Sequence, residues 1–423
     1  MKLSQIGRIT KATILSLAIG LGMTACSSDY TIDYLYVTAS KGTGNISAYK
    51  IDNQSGSLTQ IVDSPYDSGG QNPVAITVAP NNLVLFVLDK DVSRIVVFAI
   101  GTDGKIYPQN GYNATSTSGT TPVAEAITPD AKYLAVAYTY QPGFSSASPG
   151  PGGDIVVYPI TYLDAGNNTV DPSSTAIASA KLGTAVTMGS TQNFPVGINP
   201  VSMGFAPCAA LFPSCPSTYV PYLYVVEQTA TAGTVLTLKL APTTGVLTSV
   251  ASTQAGVLPH AIAEEPTGRF VYITDQSANQ LIGYVVQSNG SLTPMVNGPF
   301  ATGLFPQGIV ADPRGKYLYL TNYNNSTVSG YAIDPATGTP SGVFSNGTAT
   351  TGTGPTCVTV EPSQGLYLYT SNFVDNSVSG MQLDPHTGAL VNIQNTPFNA
   401  AGNPTCAVTA ATAGGHAYQA VQP

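Results

Sequence analysis

Residues 305–322 read FPQGIVADPRGKYLYLTN, and residues 354–372 read GPTCVTVEPSQGLYLYTSN. Both stretches follow one template: Pro, a short β-branched run, a Pro-x-Gly-type turn, then Tyr-Leu-Tyr. The opening proline recurs at Pro73, Pro122, Pro200, Pro259, Pro306, Pro355 and Pro404, with spacings of 49, 78, 59, 47, 49 and 49 residues. Each period holds four strand signals. In one copy these are Gly308 to Ala311, Tyr317 to Thr321, Thr327 to Ile333, and a weaker run after the turn Asp334-Pro335-Ala336-Thr337-Gly338. Proline presets φ at turn corners and glycine supplies positive φ, so these turns punctuate runs of β-branched and aromatic residues. One four-stranded unit of this kind cannot bury both faces alone, and a period near 48 residues predicts radial stacking into an all-β, seven-bladed β-propeller.

The first copy lacks its innermost strand, because Tyr34 to Thr38 already matches the second strand of the template. Thr405 to Thr409 supplies the missing strand, so the ring is expected to close with the C-terminal strand completing the first blade. His416 to Val421 reads as one more second strand, which leaves an eight-bladed ring as the alternative. Insertions are expected at 140–153, 163–194 and 206–221. Such loops are either functional or neutral decoration, since insertion costs little stability.

Composition agrees with this reading. Only 9% of the 423 residues are charged, against 43 Gly and 32 Pro, which leaves little material for charged amphipathic helices. Mean hydropathy is +0.13, yet beyond residue 26 no uninterrupted apolar run reaches the roughly 18 residues of a spanning helix.

The N-terminus reads as an export signal over residues 1–25, with Lys2, Arg8 and Lys11 preceding the apolar run Ala12 to Met23. Met23-Thr24-Ala25-Cys26 resembles a bacterial lipobox, which predicts lipidation of Cys26, a tether over 26–32 and a propeller over 33–423. Ser27 after the cysteine favours the outer membrane, facing the periplasm, over the inner membrane. Without the signal, 11 basic residues face 22 acidic ones. Phosphate neutralisation needs the opposite balance, so no nucleic-acid partner is expected. The expected partners are the membrane, through the lipid, and a protein or small molecule of unspecified identity.

Four cysteines remain after Cys26. Cys208 and Cys215 can close a small loop within the 206–221 insertion. Cys357 and Cys406 occupy one template position in consecutive copies, so they are either bonded across the closure seam or two buried thiols. No Cys-x-x-Cys occurs and the three histidines are scattered, so neither a metal nor any other cofactor is expected.

In a propeller, the ends of second strands and the starts of innermost strands surround the channel on one face. The first set is Asp89, Tyr138, Glu227, Asp275, Asn322 and Asn372. The second is Val74, Val123, Val201, His260, Gln307, Thr356 and Thr405. His260, Gln307, Asp275 and Glu227 form the most polar sector, and Lys41, Lys90 and Arg94 are the basic residues that reach this face. A neutral imidazole beside carboxylates can act as a general base on water, giving His260, Asp275 and Glu227 as catalytic candidates. The competing reading has His260 serving a local backbone group and Asp275 and Asn322 bonding within their own loops. Gln307, Asn322, Asn372, Asp89, Lys90 and Arg94 are candidates for ligand contact. Arg269 and Arg314 fall on the opposite face, where solvation is expected. No phosphate loop or nucleophile elbow occurs.

The template, with Ser329-Gly330-Tyr331, Ile282-Gly283-Tyr284 and Asp-Pro-x-Thr-Gly, resembles the lactonase family of seven-bladed propellers, which includes 6-phosphogluconolactonase-like and muconate-cycloisomerase-like proteins. The resemblance spans residues 33 to 423. Pro259-His260 followed by Pro266-Thr267-Gly268-Arg269-Phe270 resembles the family's Pro-His segment, which implies a role for His260. The family tends to carry a Gly- and Asp-containing loop where this chain has Asp275-Gln276-Ser277-Ala278-Asn279. Two functions are therefore expected as alternatives: a binding or interaction platform using the channel face, or a lactone (carboxylic-ester) hydrolase.

Overall fold

The computed structural model describes residues 31–109, 114–115, 120–208, 215–216, 219–229, 232–344 and 348–412. Cys26, its flanking segments and His416 to Val421 lie outside the described residues. The described residues form seven antiparallel sheets and no helix. Three blades follow the template closely: Pro259–Glu264, Phe270–Asp275, Gln280–Val286 and Leu292–Pro294; Pro306–Ala311, Tyr317–Asn322, Thr327–Ile333 and Pro340–Gly342; Pro355–Val360, Tyr367–Asn372, Ser377–Leu383 and Leu390–Asn392.

The first blade comprises Thr31–Ala39, Asn45–Asp52 and Leu58–Gln60, and its innermost strand is Pro404–Ala411, paired antiparallel from Asp33↔Ala411 to Ala39↔Pro404. The ring thus closes by the expected exchange, with seven blades among the described residues. The first blade starts at Thr31, two residues before the expected boundary. In most blades the third strand also pairs a two-residue segment past the short fourth strand, such as Phe300–Ala301 or Phe398–Asn399. The sequence gives no periodic signal for so short a piece.

The recurring motifs have a specific task between blades. Tyr319, in the second strand of the sixth blade, donates its hydroxyl to the Gly388 carbonyl in the Asp-Pro-x-Thr-Gly turn of the seventh, at 2.7 Å. Tyr272 reaches Gly338 at 2.6 Å, and Tyr36 reaches Gly104 at 2.8 Å. Tyr369 bonds Gly56 of the first blade at 2.6 Å, so the same contact spans the closure. A buried phenol needs a partner, and a turn glycine with no Cβ lets the ring lie close enough to reach the carbonyl. The turn is itself held by Asp334 Oδ1, which accepts from the Ala336 and Thr337 amides at 2.9 and 2.8 Å. Apolar side chains from facing sheets fill the space between blades, for example Tyr319, Val328, Leu368 and Met381 between the sixth and seventh.

The insertions are not alike. Residues 163–194 form folded outer structure: Thr169–Val170 and Ser179–Leu182 both pair with the long strand Asp154–Leu163. Ile177 and Ala180 are buried in the core shared by the second and third blades. Residues 141–153 join a second strand to a third, which places them on the channel-mouth face, where much of the loop is exposed. The 206–221 widening joins a first strand to a second, on the opposite face, and the Cys208–Cys215 disulfide forms there as expected.

Candidate functional site

The innermost strands wall a central cavity of about 290 Å³, lined among others by Val74, Val123, Val201, His260, Thr356 and Thr405. Its mouth is divided. Three consecutive blades present valine and three present His260, Thr356 and Thr405, while Gln307, at the same strand position in the sixth blade, is not among the lining residues. The threonines are committed to the fold: Thr405 Oγ1 donates to the Pro73 carbonyl at 2.7 Å, and Thr356 Oγ1 to the Pro404 carbonyl at 3.3 Å, each bridging to the next blade. His260 and Gln307, on adjacent blades, have no side-chain hydrogen bond among the described residues. Burial holds the His260 imidazole in its neutral form, with the pKa lowered to about 4.

The structure does not bring His260 to the carboxylates named with it. Asp275 is buried, and its oxygens accept from four backbone amides: Val257 at 2.7 Å, and Leu258, Ser277 and Ala278 at 3.1 Å each. Glu227 accepts from the Gly197 amide at 2.7 Å and from Thr234 Oγ1 at 2.9 Å. Neither forms a hydrogen bond with His260. Asn322 accepts from the Gly303 amide at 3.0 Å and donates to Thr327 and Ser329. Asp89 accepts from the Asn72 amide at 3.1 Å, and Asn372 donates to Ser377 and Ser379. In the blades of Asp89, Glu227, Asp275 and Asn322, the acceptor ending the second strand fastens the chain just before the innermost strand begins. The column is a repeated structural device, in line with the local-bonding reading of Asp275 and Asn322.

Arg94 donates to the Gly69 carbonyl at 3.0 Å, and its charge partly offsets the burial that raises Asp89 to about 6. The Lys90 amide bonds the Asn72 carbonyl, and Lys41 packs its stem on Gly402, so both lie in the mouth loops. Arg314 departs from expectation: it is buried, paired with Asp312 at 2.7 Å and donating to the Gly365 carbonyl at 2.6 Å, so it links the sixth and seventh blades. A planar guanidinium suits such a fork between carboxylate and carbonyl. Arg269 lies 4.9 Å over the Phe270 ring and donates to Pro335.

Three acidic side chains stand out that the motif reading passes over. Glu125 lines the cavity, buried, with neither carboxyl oxygen hydrogen-bonded, and burial raises its pKa to about 8. Asp154, opening the third strand of its blade, is fully buried with both oxygens unpartnered and is raised to about 8 by burial. Glu264 is raised by burial to about 7. The signal for Glu125 was a lone acid within the aliphatic strand Thr120–Ile127. Cys357 and Cys406 meet across the closure seam as two thiols, their Sγ atoms 3.0 Å apart, so the structure holds them unbonded. Among the described residues no three His, Cys, Asp or Glu side chains group closely enough to hold a metal ion.

A sequence model of the family described as lactonase, seven-bladed β-propeller, matches residues 29–172 and 253–360, more than half of the chain. The chain belongs to the lactonase family. The unmatched stretch between the two parts holds most of the 163–194 insertion and the fourth blade. Among solved structures, the Pseudomonas aeruginosa periplasmic gluconolactonase PpgL is 19% identical, with a TM-score of 0.64 over 90% of this chain and 100% of that one. A candidate 6-phosphogluconolactonase of Bacteroides uniformis is 16% identical, with a TM-score of 0.63 over 90% of this chain and 100% of that one. At such identities the likeness shows a shared fold. A search of curated proteins finds no match.

Proposed function

We propose that this lactonase-family propeller is an envelope lipoprotein whose channel mouth binds a small, uncharged, polar ring compound of the lactone class. One observation carries the reading: His260 lines the cavity with its polar atoms unclaimed by the fold, on a wall shared with an arc of valines, and Gln307 holds the same strand position in the next blade. Val74, Val123 and Val201 offer an apolar surface, and the two free side chains offer a donor and acceptors, the usual composition of a small-molecule site. The exposed loop 141–153 borders this face and extends the surface open to a protein partner. Export and lipidation rest on the lipobox at Cys26.

A second reading, lactone hydrolysis, is favoured by the neutral, unpartnered imidazole of His260. Water attacks the lactone carbonyl carbon while His260 takes its proton. The ring C–O bond then breaks and the proton passes to the leaving ring oxygen, giving a hydroxy acid. The name of the Pseudomonas protein supports the lactone class.

Calorimetric titration with a panel of sugar and aliphatic lactones tests the binding, with acid release followed in parallel. His260→Ala and Gln307→Ala should each weaken binding by about 5- to 30-fold, the value of one or two net hydrogen bonds. Acid release that His260→Ala abolishes while binding persists would move the assignment to hydrolysis. Failure of every lactone to bind would remove the lactone class. The anchor has its own test: intact mass should show a diacylglyceryl group on Cys26 and detergent-phase partitioning, both lost in Cys26→Ser.

A further inference from the structure

Cys357 and Cys406 belong to the innermost strands Pro355–Val360 and Pro404–Ala411, and both line the central cavity. Their sulfurs, 3.0 Å apart, stand closer than non-bonded heavy atoms usually rest, roughly 3.5 to 4.0 Å. They lie at the seam where the ring closes. Pro404–Ala411 is held to its own blade by pairing with Thr31–Ala39 alone. Across the seam it meets the seventh blade through side chains: Thr359 Oγ1 and Thr409 Oγ1 lie 3.1 Å apart, and Thr409 Oγ1 donates to the Val360 carbonyl at 3.0 Å. The chain reaches this strand directly from the seventh blade, and a bond between the two thiols would tie the innermost strands of the two blades together, enclosing most of the seventh blade in one loop.

We propose that Cys357 and Cys406 form a channel-facing dithiol that small disulfide oxidants convert reversibly to a disulfide, fastening the closing strand to the seventh blade. The inference is independent of the ligand read at the mouth. The two sulfurs share a hydrogen bond in which either can donate, and Cys357 Sγ also donates to the Ala407 carbonyl at 3.6 Å. One of the two thiols, as the thiolate with its proton released to solvent, attacks one sulfur of a small disulfide RS–SR. One RS⁻ leaves and is protonated to RSH. The other sulfur, on losing its proton, attacks the first and expels the second RS⁻, which is protonated in turn. Two thiols lose two electrons and two protons, and the oxidant gains both as two RSH. Both residues line the cavity and are partly exposed, so a small oxidant can meet them there. Closing so long a loop constrains the unfolded chain and should raise thermal stability.

The test uses the reduced full-length protein treated with glutathione disulfide, then thiol labelling and peptide mapping, with Cys208 and Cys215 followed separately. A linked Cys357–Cys406 peptide and a melting temperature raised by several degrees are expected, both reversed by dithiothreitol. Cys357→Ser should lose both the linked peptide and the rise in melting temperature, and the wild-type mapping stands even if that variant does not fold. Both thiols remaining free to label after oxidation would overturn the latch.

Discussion

Gly388→Ala should destabilise the protein by roughly 3 kcal/mol. Two costs act at one atom. Gly388 has φ of +73°, a conformation that costs an L-residue about 1 to 2 kcal/mol. A Cβ there would lie 2.5 Å from the Tyr317 ring of the preceding blade, and relieving that overlap costs another 1 to 3 kcal/mol, roughly. The ring cannot simply move away, because the neighbouring Tyr319 must hold its 2.7 Å bond to the Gly388 carbonyl.

Two controls separate these costs. At Gly342 an added Cβ meets nothing within 4 Å, so Gly342→Ala should be near neutral. Tyr319→Phe leaves the turn intact and strands the Gly388 carbonyl, for a loss of about 1 to 2 kcal/mol. Urea unfolding of the three variants beside the wild type gives the order. If Gly388→Ala proved as mild as Gly342→Ala, the turn-to-tyrosine contact would not be what holds successive blades together.

This contact also shows how far the sequence could be read. Tyr-Leu-Tyr and Asp-Pro-x-Thr-Gly recur because each blade must meet the next in the same way. A repeated physical demand leaves a repeated pattern, so blade count and ring closure are legible. The site is different because it lives in the departures from the pattern. His260 is visible as the odd residue in its column, and the structure leaves it free. Asp275 and Glu227 looked equally apt, yet they are bound to backbone amides at the entry to the innermost strands. Their column exchanges Asp, Glu and Asn, which share only the ability to accept hydrogen bonds, and that exchange was the sign of a structural role. Arg314 was misplaced because a turn residue reads as exposed until the neighbouring blade supplies Gly365. Glu125 and Asp154 went unweighed since burial without a partner is a property of three-dimensional surroundings, which one strand's letters do not carry.

Those buried acids make the second large effect: the protein should be more stable near pH 5 than at pH 8.5, with a melting temperature lower by about 5 °C or more at the higher pH. Glu125 and Asp154 are raised by burial to about 8, Glu264 to about 7 and Asp89 to about 6. Asp33, at the closure beside Glu361, is raised by burial and by that neighbouring carboxyl. For each of these the folded chain keeps its proton where the unfolded chain, with carboxyl pKa values near 4, has lost it. Their stabilisation is therefore complete below about pH 4, falls as pH climbs through the folded values and levels off above about 8. His260, lowered to about 4, works the other way between about pH 4 and 6.5, as one group against several. Glu125→Gln isolates one share. It keeps the size and polarity but never ionises, so it should match the wild type near pH 5 and exceed it by about 2 kcal/mol or more at pH 8.5. Thermal melts of both proteins across pH 4.5 to 9 measure this directly. Parallel curves, with no convergence toward acid pH, would show that Glu125 ionises freely in the folded protein and that the cavity wall is wetter than its unpartnered carboxyl indicates.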